Sequence, residues 1–360
     1  MWLFQNYLKN KKVDSLIDNL IVDSFVGDLT DIEKIEVKKD KEKGKRLVII
    51  YKKKEDDRTD DPEPIVIELD YDNQIVGYTN KELQNVGDNF LSHNRALTEL
   101  NLPQVQSIGG NFLCCNEILA KLSLPQVQSI EDNFLYCNKA LTELQLPQVQ
   151  SIGDNFLAEN NVLTELNLPQ VQSIGRDFLC WDEVLAKLSL PQVQSIEDGF
   201  LCNNKALTEV NLPQVQSVGR NFLYCNEALT EVSLPQVQSI EDNFLAENNV
   251  LAELNLPQVQ SIGSGFLYKN KALAKLSMPQ VLKIRNRFLE NNAIFAEMFR
   301  RGGAEAIREY SARAKQENIT PENALKCALL QGTTIEQVNE ANKIEQEQAK
   351  SKKQEYGKQQ

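Results

Sequence analysis

Proline stands at positions 103, 125, 147, 169, 191, 213, 235, 257 and 279, and phenylalanine at 90, 112, 134, 156, 178, 200, 222, 244, 266 and 288, so one pattern recurs every 22 residues through ten consecutive units. A period of roughly 20–29 residues with apolar side chains held in fixed columns specifies a solenoid, because no single unit can bury its apolar face and stacked units can. The unit Pro147–Leu168 shows what each turn demands. Leu163, Leu166 and Leu168 are spaced so that the last two alternate inward around Asn167, as in a short strand with one buried face. Val149 and Ile152 supply a second inward pair and Phe156 with Leu157 a third. The proline that follows the last leucine ends the strand, having no N–H to give to a ladder.

An asparagine column (Asn94, Asn116, Asn138, Asn160, Asn204, Asn226, Asn248, Asn270, Asn292) falls at the tight bend, where an amide can donate to and accept from the backbone of adjacent turns. Asp182 interrupts it; a carboxylate accepts without donating, so one link of that ladder is expected to be missing.

The run L-x-x-L-x-L-P, followed by a short S-I-G/E segment and an aromatic-leucine pair, resembles the BspA-like subclass of bacterial leucine-rich repeats over about residues 81 to 299. Two departures stand out. The units are one residue shorter than is usual for that subclass, and asparagine stands where the subclass commonly has cysteine. The resemblance implies an α/β-type solenoid, a leucine-rich repeat superhelix of stacked short parallel strands, that binds protein without catalysis. It covers surface adhesins and intracellular proteins alike, and so names no target.

Around the array at 81–290, the chain divides into an α+β N-terminal cap at 1–80, a helical C-terminal cap at 291–345 and a tail without fixed structure at 346–360. In the first cap Leu16, Ile17, Leu20, Ile21 and Phe25 share a helical face within 13–26. Ile35–Val37 and Leu47–Tyr51 flank a charged turn containing Gly44 and read as a β-hairpin, and Pro64–Leu69 reads as a further strand. Beyond Pro279, Ile294, Phe295, Met298 and Phe299 switch to helical spacing, Arg300–Gly303 ends that helix, and Ala304–Glu317 begins another. Thr320-Pro321-Glu322 and Gly332-Thr333-Thr334 start a third and a fourth. Residues 324 to 344 faintly resemble a helix-turn-helix hairpin but lack a basic recognition helix.

A net charge of −12 argues against nucleic acid, which asks for clustered Lys and Arg on one face. No stretch approaches the roughly 18 apolar residues that span a bilayer, and the first 12 residues lack the pattern of a secretory signal. Of seven cysteines, six lie two or three residues after a repeat phenylalanine, without a metal-site spacing. Cys115 and Cys137 share a column in adjacent turns, about 5 Å apart, within reach of a disulfide. Free thiols in a reducing compartment are the expectation, and with it a cytoplasmic or host-delivered location; a surface-displayed adhesin exported by a non-standard route is the alternative.

One histidine, His93, in a column that elsewhere holds Cys, Glu, Trp, Asn and Lys, leaves no His-based triad, dyad or metal site. There is no glycine-rich phosphate loop, and Cys327 lies in an apolar helical segment without the Cys-x-Asp pattern of leucine-rich-repeat ubiquitin ligases. No enzyme activity, cofactor or metal is expected. The expectation is a binding scaffold for a protein partner, from the same cell or a host. The outward positions of the strand taken as concave, Glu99, Lys121, Glu143, Glu165, Lys187, Glu209, Glu231, Glu253 and Lys275, flanked by residues such as Asn167 and Asn211, form an acidic-polar strip roughly 45 Å long suited to an extended partner. The opposite columns are uniform glutamines from Gln104 to Gln260, a monotony that recent duplication also explains. Trp181, the lone tryptophan of the array, is read as folded over its neighbours, with an exposed interface anchor as the other reading.

Overall fold

The computed structural model describes residues 32–40, 45–52, 63–70 and 74–317. The expected helix at 13–26, the helices after 320, Cys327 and the tail lie outside the described residues.

The chain enters through four antiparallel strands, β1 (Ile32–Asp40), β2 (Lys45–Lys52), β3 (Ile65–Leu69) and β4 (Ile75–Thr79), paired in sequence order. β1 and β2 pair antiparallel as expected of a hairpin, the connecting residues 41–44 lying outside the described residues, and β3 falls where Pro64–Leu69 was read. β4 was not read from the sequence: Gly77 and the short apolar run around it gave too little alternation. The inward residues Val48, Ile50, Ile65, Ile67, Leu69 and Ile75 are buried and run into the core of the array.

Each turn of the array then carries two short strands. The two-residue strands β5 (Asn85–Val86), β7 (Ser107–Ile108), β9 (Ser129–Ile130), β11 (Ser151–Ile152), β13 (Ser173–Ile174), β15 (Ser195–Ile196), β17 (Ser217–Val218), β19 (Ser239–Ile240), β21 (Ser261–Ile262) and β23 (Lys283–Ile284) form one unbroken parallel sheet of ten. The three-residue strands are β6 (Glu99–Asn101), β8 (Lys121–Ser123), β10 (Glu143–Gln145), β12 (Glu165–Asn167), β14 (Lys187–Ser189), β16 (Glu209–Asn211), β18 (Glu231–Ser233), β20 (Glu253–Asn255) and β22 (Lys275–Ser277). These were expected to stack into one strip. They fall instead into sheets of three, two and four strands, open between β10 and β12 and between β14 and β16, with β18 and β20 paired only at Ser233 and Asn255. Ion pairs explain part of the pattern. Lys121 bridges Glu143 at 2.6 Å, Lys187 bridges Glu165 at 2.5 Å and Lys275 bridges Glu253 at 2.5 Å, whereas no bridge between these strand residues crosses the three open or thinned joints. At two of them glutamate faces glutamate, and like charges opposite one another weaken pairing, though not decisively, since β16 and β18 pair in full with Glu209 opposite Glu231. Leu144 and Leu188, on the strands that precede the open joints, are only half-buried.

Between the strands the repeat phenylalanines stack face to face, with ring centroids 5.2–5.6 Å apart and planes within 8° from Phe90 to Phe288. Around each ring the backbone alternates into the left-handed region, as at Asn155, Leu157 and Glu159 (φ 57°, 52° and 61°). For a leucine that conformation costs roughly 1–2 kcal/mol. It is held by bonds that run to both neighbouring turns: the Leu157 amide donates to Phe134 O, and the Asn155 and Glu159 amides donate to Arg176 O and Cys180 O. No helix occurs within the described repeats.

The far end closes with helix α1 (Ala293–Glu317), interrupted at Gly303 (φ 59°), where the sequence places the break. Phe295 and Met298 are buried, Phe299 tilts against Phe288 at 5.1 Å, and Ser311 Oγ accepts the Met278 amide at 2.8 Å, so α1 covers the last turn.

Candidate interaction surface

The strand positions expected to meet a partner project outward as the alternation requires. Glu143, Glu165, Lys187, Glu209, Glu231, Asn167 and Asn211 are all exposed. Lys187 is committed to Glu165, and Glu143 to Lys121. Glu209 and Glu231 differ: they lie directly opposite one another on β16 and β18, and among the described residues no cation bridges either. A shallow depression lined by Glu99, Asn101, Lys121, Ser123, Glu143 and Gln145 runs over β6, β8 and β10. The strip therefore offers carboxylates, amides and hydroxyls at strand spacing, the means to hold a polar extended chain.

Trp181 does not join that strip; it sits on the bend beside the phenylalanine stack. It is 55% exposed, which corrects the reading that it folds over its neighbours. The column it occupies holds exposed His93 and Glu159 and half-buried Cys115, Cys137, Asn203, Cys225, Glu247 and Lys269, with no member fully buried, so a large ring there remains in part in solvent. That column was available in the sequence as a signal.

The buried asparagines donate as expected, but only those of the first and last turns also accept, Asn94 Oδ1 from the Ala96 and Leu97 amides and Asn292 Oδ1 from the Phe295 amide. Nδ2 of Asn116, Asn138, Asn160, Asn204, Asn226, Asn248 and Asn270 reaches the leucine carbonyl 25 residues earlier, as in Asn204 to Leu179 O at 3.0 Å, while Oδ1 of these seven is buried without a partner. Asp182 breaks the ladder as expected. Its Oδ1 accepts from the Val184 and Leu185 amides and its buried Oδ2 has no partner. Burial pushes its carboxyl up to about 7 against the pull of those two amides.

The cysteines correct the sequence reading. Cys180 and Cys202 form a disulfide across adjacent turns, with Cα atoms 4.7 Å apart, whereas Cys115 and Cys137, the pair singled out by their shared column, are free thiols, as are Cys114 and Cys225. Both pairs satisfy the same rule of one column in adjacent turns, so the sequence nominated two candidates where only one was weighed. Cys114 Sγ lies 3.5 Å from Cys115 Sγ, and burial first, then that contact, pushes the Cys114 thiol up to about 12. The Asp177 carboxylate lies within 4.8 Å of both disulfide sulfurs.

A stack of short parallel strands on a leucine-phenylalanine core, with an outward polar strip and closed ends, defines a leucine-rich-repeat solenoid. The sequence matches the BspA type leucine rich repeat region over residues 77–182 and 172–295, and the chain belongs to that family. Similar solved structures include a leucine-rich repeat protein from Bacteroides ovatus, at 18% identity over 73% of this chain and 68% of that one with a TM-score of 0.50, which agrees with the fold. A leucine rich cell surface protein from Faecalibacterium prausnitzii is similar at 20% identity over 60% of this chain and 76% of that one, with a TM-score of 0.40. No curated protein matches the chain. Membership of the family points to a protein-interaction or surface-adhesin role on a scaffold of a typically non-catalytic kind. No helix among the described residues is long and apolar enough to cross a membrane.

Proposed function

We propose that the protein is a binding scaffold that holds an extended protein partner along the strand strip from Glu99 to Ser277. The observation that carries the reading is that the three-residue strands turn two polar columns outward, Glu or Lys and then Asn, Ser or Gln, on either side of an inward Leu or Val, as in Glu165-Leu166-Asn167 and Glu209-Val210-Asn211. Within the row, Glu99, Glu209 and Glu231 are the carboxylates left to a partner, since the lysines of the row are engaged elsewhere. The test is capture from extracts of the source cell and of a host, using the intact chain and a variant with Glu143, Glu165, Glu209 and Glu231 changed to Lys. A partner kept by the native strip and lost from the reversed one supports the reading. Equal capture by both overturns it.

A second observation bears on location. Disulfides persist in oxidising environments and are rare in the cytosol, so the Cys180–Cys202 bond favours the exported, surface-displayed reading over a cytoplasmic one. Alkylation and mass spectrometry of protein taken from the source cells distinguish the two: a blocked Cys180–Cys202 pair accords with export, and two free thiols there contradict it.

A further inference from the structure

The disulfide lies at one particular joint of the array, between the fifth turn (Phe178, Lys187–Ser189) and the sixth (Phe200, Glu209–Asn211). The Ser-Ile sheet, the phenylalanine stack, the backbone bonds of the bend and the asparagine bond to a leucine carbonyl also cross the joint between turns five and six, the last as Asn204 Nδ2 to Leu179 O at 3.0 Å; beyond these, three kinds of link recur between successive turns. The first is pairing of the three-residue strands. The second is an amide-to-amide bond in the column before the phenylalanine: Asn111 to Asn89, Asn133 to Asn111, Asn155 to Asn133 and Asn243 to Asn221, at 3.0–3.2 Å. The third is an aspartate that accepts the amide of the next turn: Asp88 from Gly110, Asp132 from Asp154, Asp154 from Arg176, Asp198 from Arg220 and Asp242 from Ser264, at 2.7–2.9 Å.

Each joint among the first nine turns has at least one of these links, except that between turns five and six. There β14 and β16 are not paired, Asp177 and Gly199 stand where the amide ladder needs asparagines, and Arg176 stands where the aspartate link needs a carboxylate. The ion pairs that span it, Arg176–Glu197 at 3.3 Å and Lys205–Glu183 at 2.5 Å, are exposed on both sides and hold little. Among the joints of the first nine turns, the one that lacks all three of these links carries the covalent one.

We propose that the Cys180–Cys202 bond is a reducible staple: it holds the array at this joint, and its cleavage loosens the turn that presents Trp181 while the turns on either side stay folded. In an array whose turns contact only their neighbours, a lost link is felt locally. Cleavage by a dithiol is balanced. One thiolate of the reagent attacks a protein sulfur, the S–S bond breaks, and the released cysteine takes up a proton. The second reagent thiol then displaces the remaining protein sulfur, leaving two cysteine thiols and the cyclic disulfide of the reagent. Cys180 and Cys202 are 5% and 8% exposed and the Asp177 carboxylate is beside them, so an approaching thiolate meets both cover and like charge.

The test is amide hydrogen exchange on the full chain, air-oxidised and then treated with dithiothreitol, read by mass spectrometry. The expected result is exchange at least about tenfold faster within 177–212 after reduction, with 85–123 and 243–277 unchanged. Cys180→Ser with Cys202→Ser should show the loosened pattern without reductant, and Cys115→Ser with Cys137→Ser should leave the response to reductant intact. Unchanged exchange within 177–212, acceleration spread evenly over the array, a response that disappears with Cys115 and Cys137, or an oxidised chain in which Cys180 and Cys202 are free, would each overturn the proposal. If the Cys180/Cys202 variant does not fold, the wild-type comparison before and after reduction still decides.

Discussion

Tyr78 of β4 meets Phe90 edge-on, with ring centroids 5.2 Å apart and planes at 82°, at the point where the run of face-to-face phenylalanines begins. The last ring of a stack has an open face, and a ring turned edge-on both covers it and sets positive edge against negative face. Tyr78→Ala should therefore cost about 2–4 kcal/mol locally and appear in hydrogen exchange as fraying of residues 85–110 with 250–277 unaffected. Tyr78→Phe keeps the ring and gives up the bond from Asn80 Nδ2 at 3.3 Å, so it should cost about 1 kcal/mol. A uniform loss of stability along the array after Tyr78→Ala would contradict an end-capping role.

Asp182 makes stability depend on pH. Its carboxyl, pushed up from 3.8 to about 7 by burial, binds a proton more tightly folded than unfolded. Stability is therefore highest below about pH 4, falls as pH rises through about 7, and stays low above it. Asp182→Asn restores a donor toward Leu157 O and removes the cost of the buried charge. It should stabilise the protein at pH 8 by up to about 3 kcal/mol and by little at pH 4, measured by denaturant unfolding at both values. Equal effects at the two would show that ionisation of Asp182 is not the cause.

The glycine after the Ser-Ile strand is required in some turns and dispensable in others. A Cβ on Gly153 would come within 2.7 Å of the Glu131 carbonyl carbon in the preceding turn, whereas one on Gly87, at the open end, meets nothing within 4 Å. Gly153→Ala should cost about 1–3 kcal/mol and Gly87→Ala close to nothing, compared by thermal unfolding. The same restriction is written in the sequence. Gly109, Gly153, Gly175, Gly219 and Gly263 each stand where a Cβ would meet Oδ1 of an aspartate in the preceding turn at 2.5–2.6 Å, whereas Glu131, Glu197 and Glu241 stand where that aspartate is replaced by Gly110, Arg176 and Arg220.

Phe178→Leu in the middle of the stack keeps apolar volume and removes two ring contacts. It should cost about 1–3 kcal/mol, seen as earlier unfolding of the central turns in exchange or limited proteolysis. No change in the stability of those turns would mean that the stacked rings add nothing beyond their burial.

Much of this fold was legible because its determinants are periodic. The buried columns at Leu166, Leu168, Val149, Ile152, Phe156 and Leu157, the hairpin of β1 and β2, and the helix at Phe295 and Met298 ending at Gly303 all follow from spacing and punctuation. What escaped has a physical reason in each case. The Ser-Ile strands are two residues long, too short to show alternation, yet they form the continuous sheet. Leucine gives no local sign of a left-handed backbone, and Leu157 adopts it only because adjacent turns supply the bonds. The openings in the strip depend on which glutamate each lysine chooses, and Lys187 chooses Glu165 over Glu209. Among the site residues, the exposed strip positions were legible from alternation. The exposure of Trp181 was legible only from its column, and the Cys180–Cys202 bond only by weighing every pair of cysteines in adjacent turns.

The central claim is that a partner lies along the strand strip, and the most direct measurement is where a captured partner touches. A photo-cross-linking residue placed at Asn211, on the strip beside Glu209, is compared with one at Gln216 in the glutamine column of the next turn, in otherwise identical full-length chains. The account predicts a cross-linked partner from position 211 and none from 216. Equal cross-linking at the two positions, or cross-linking from 216 alone, would contradict it.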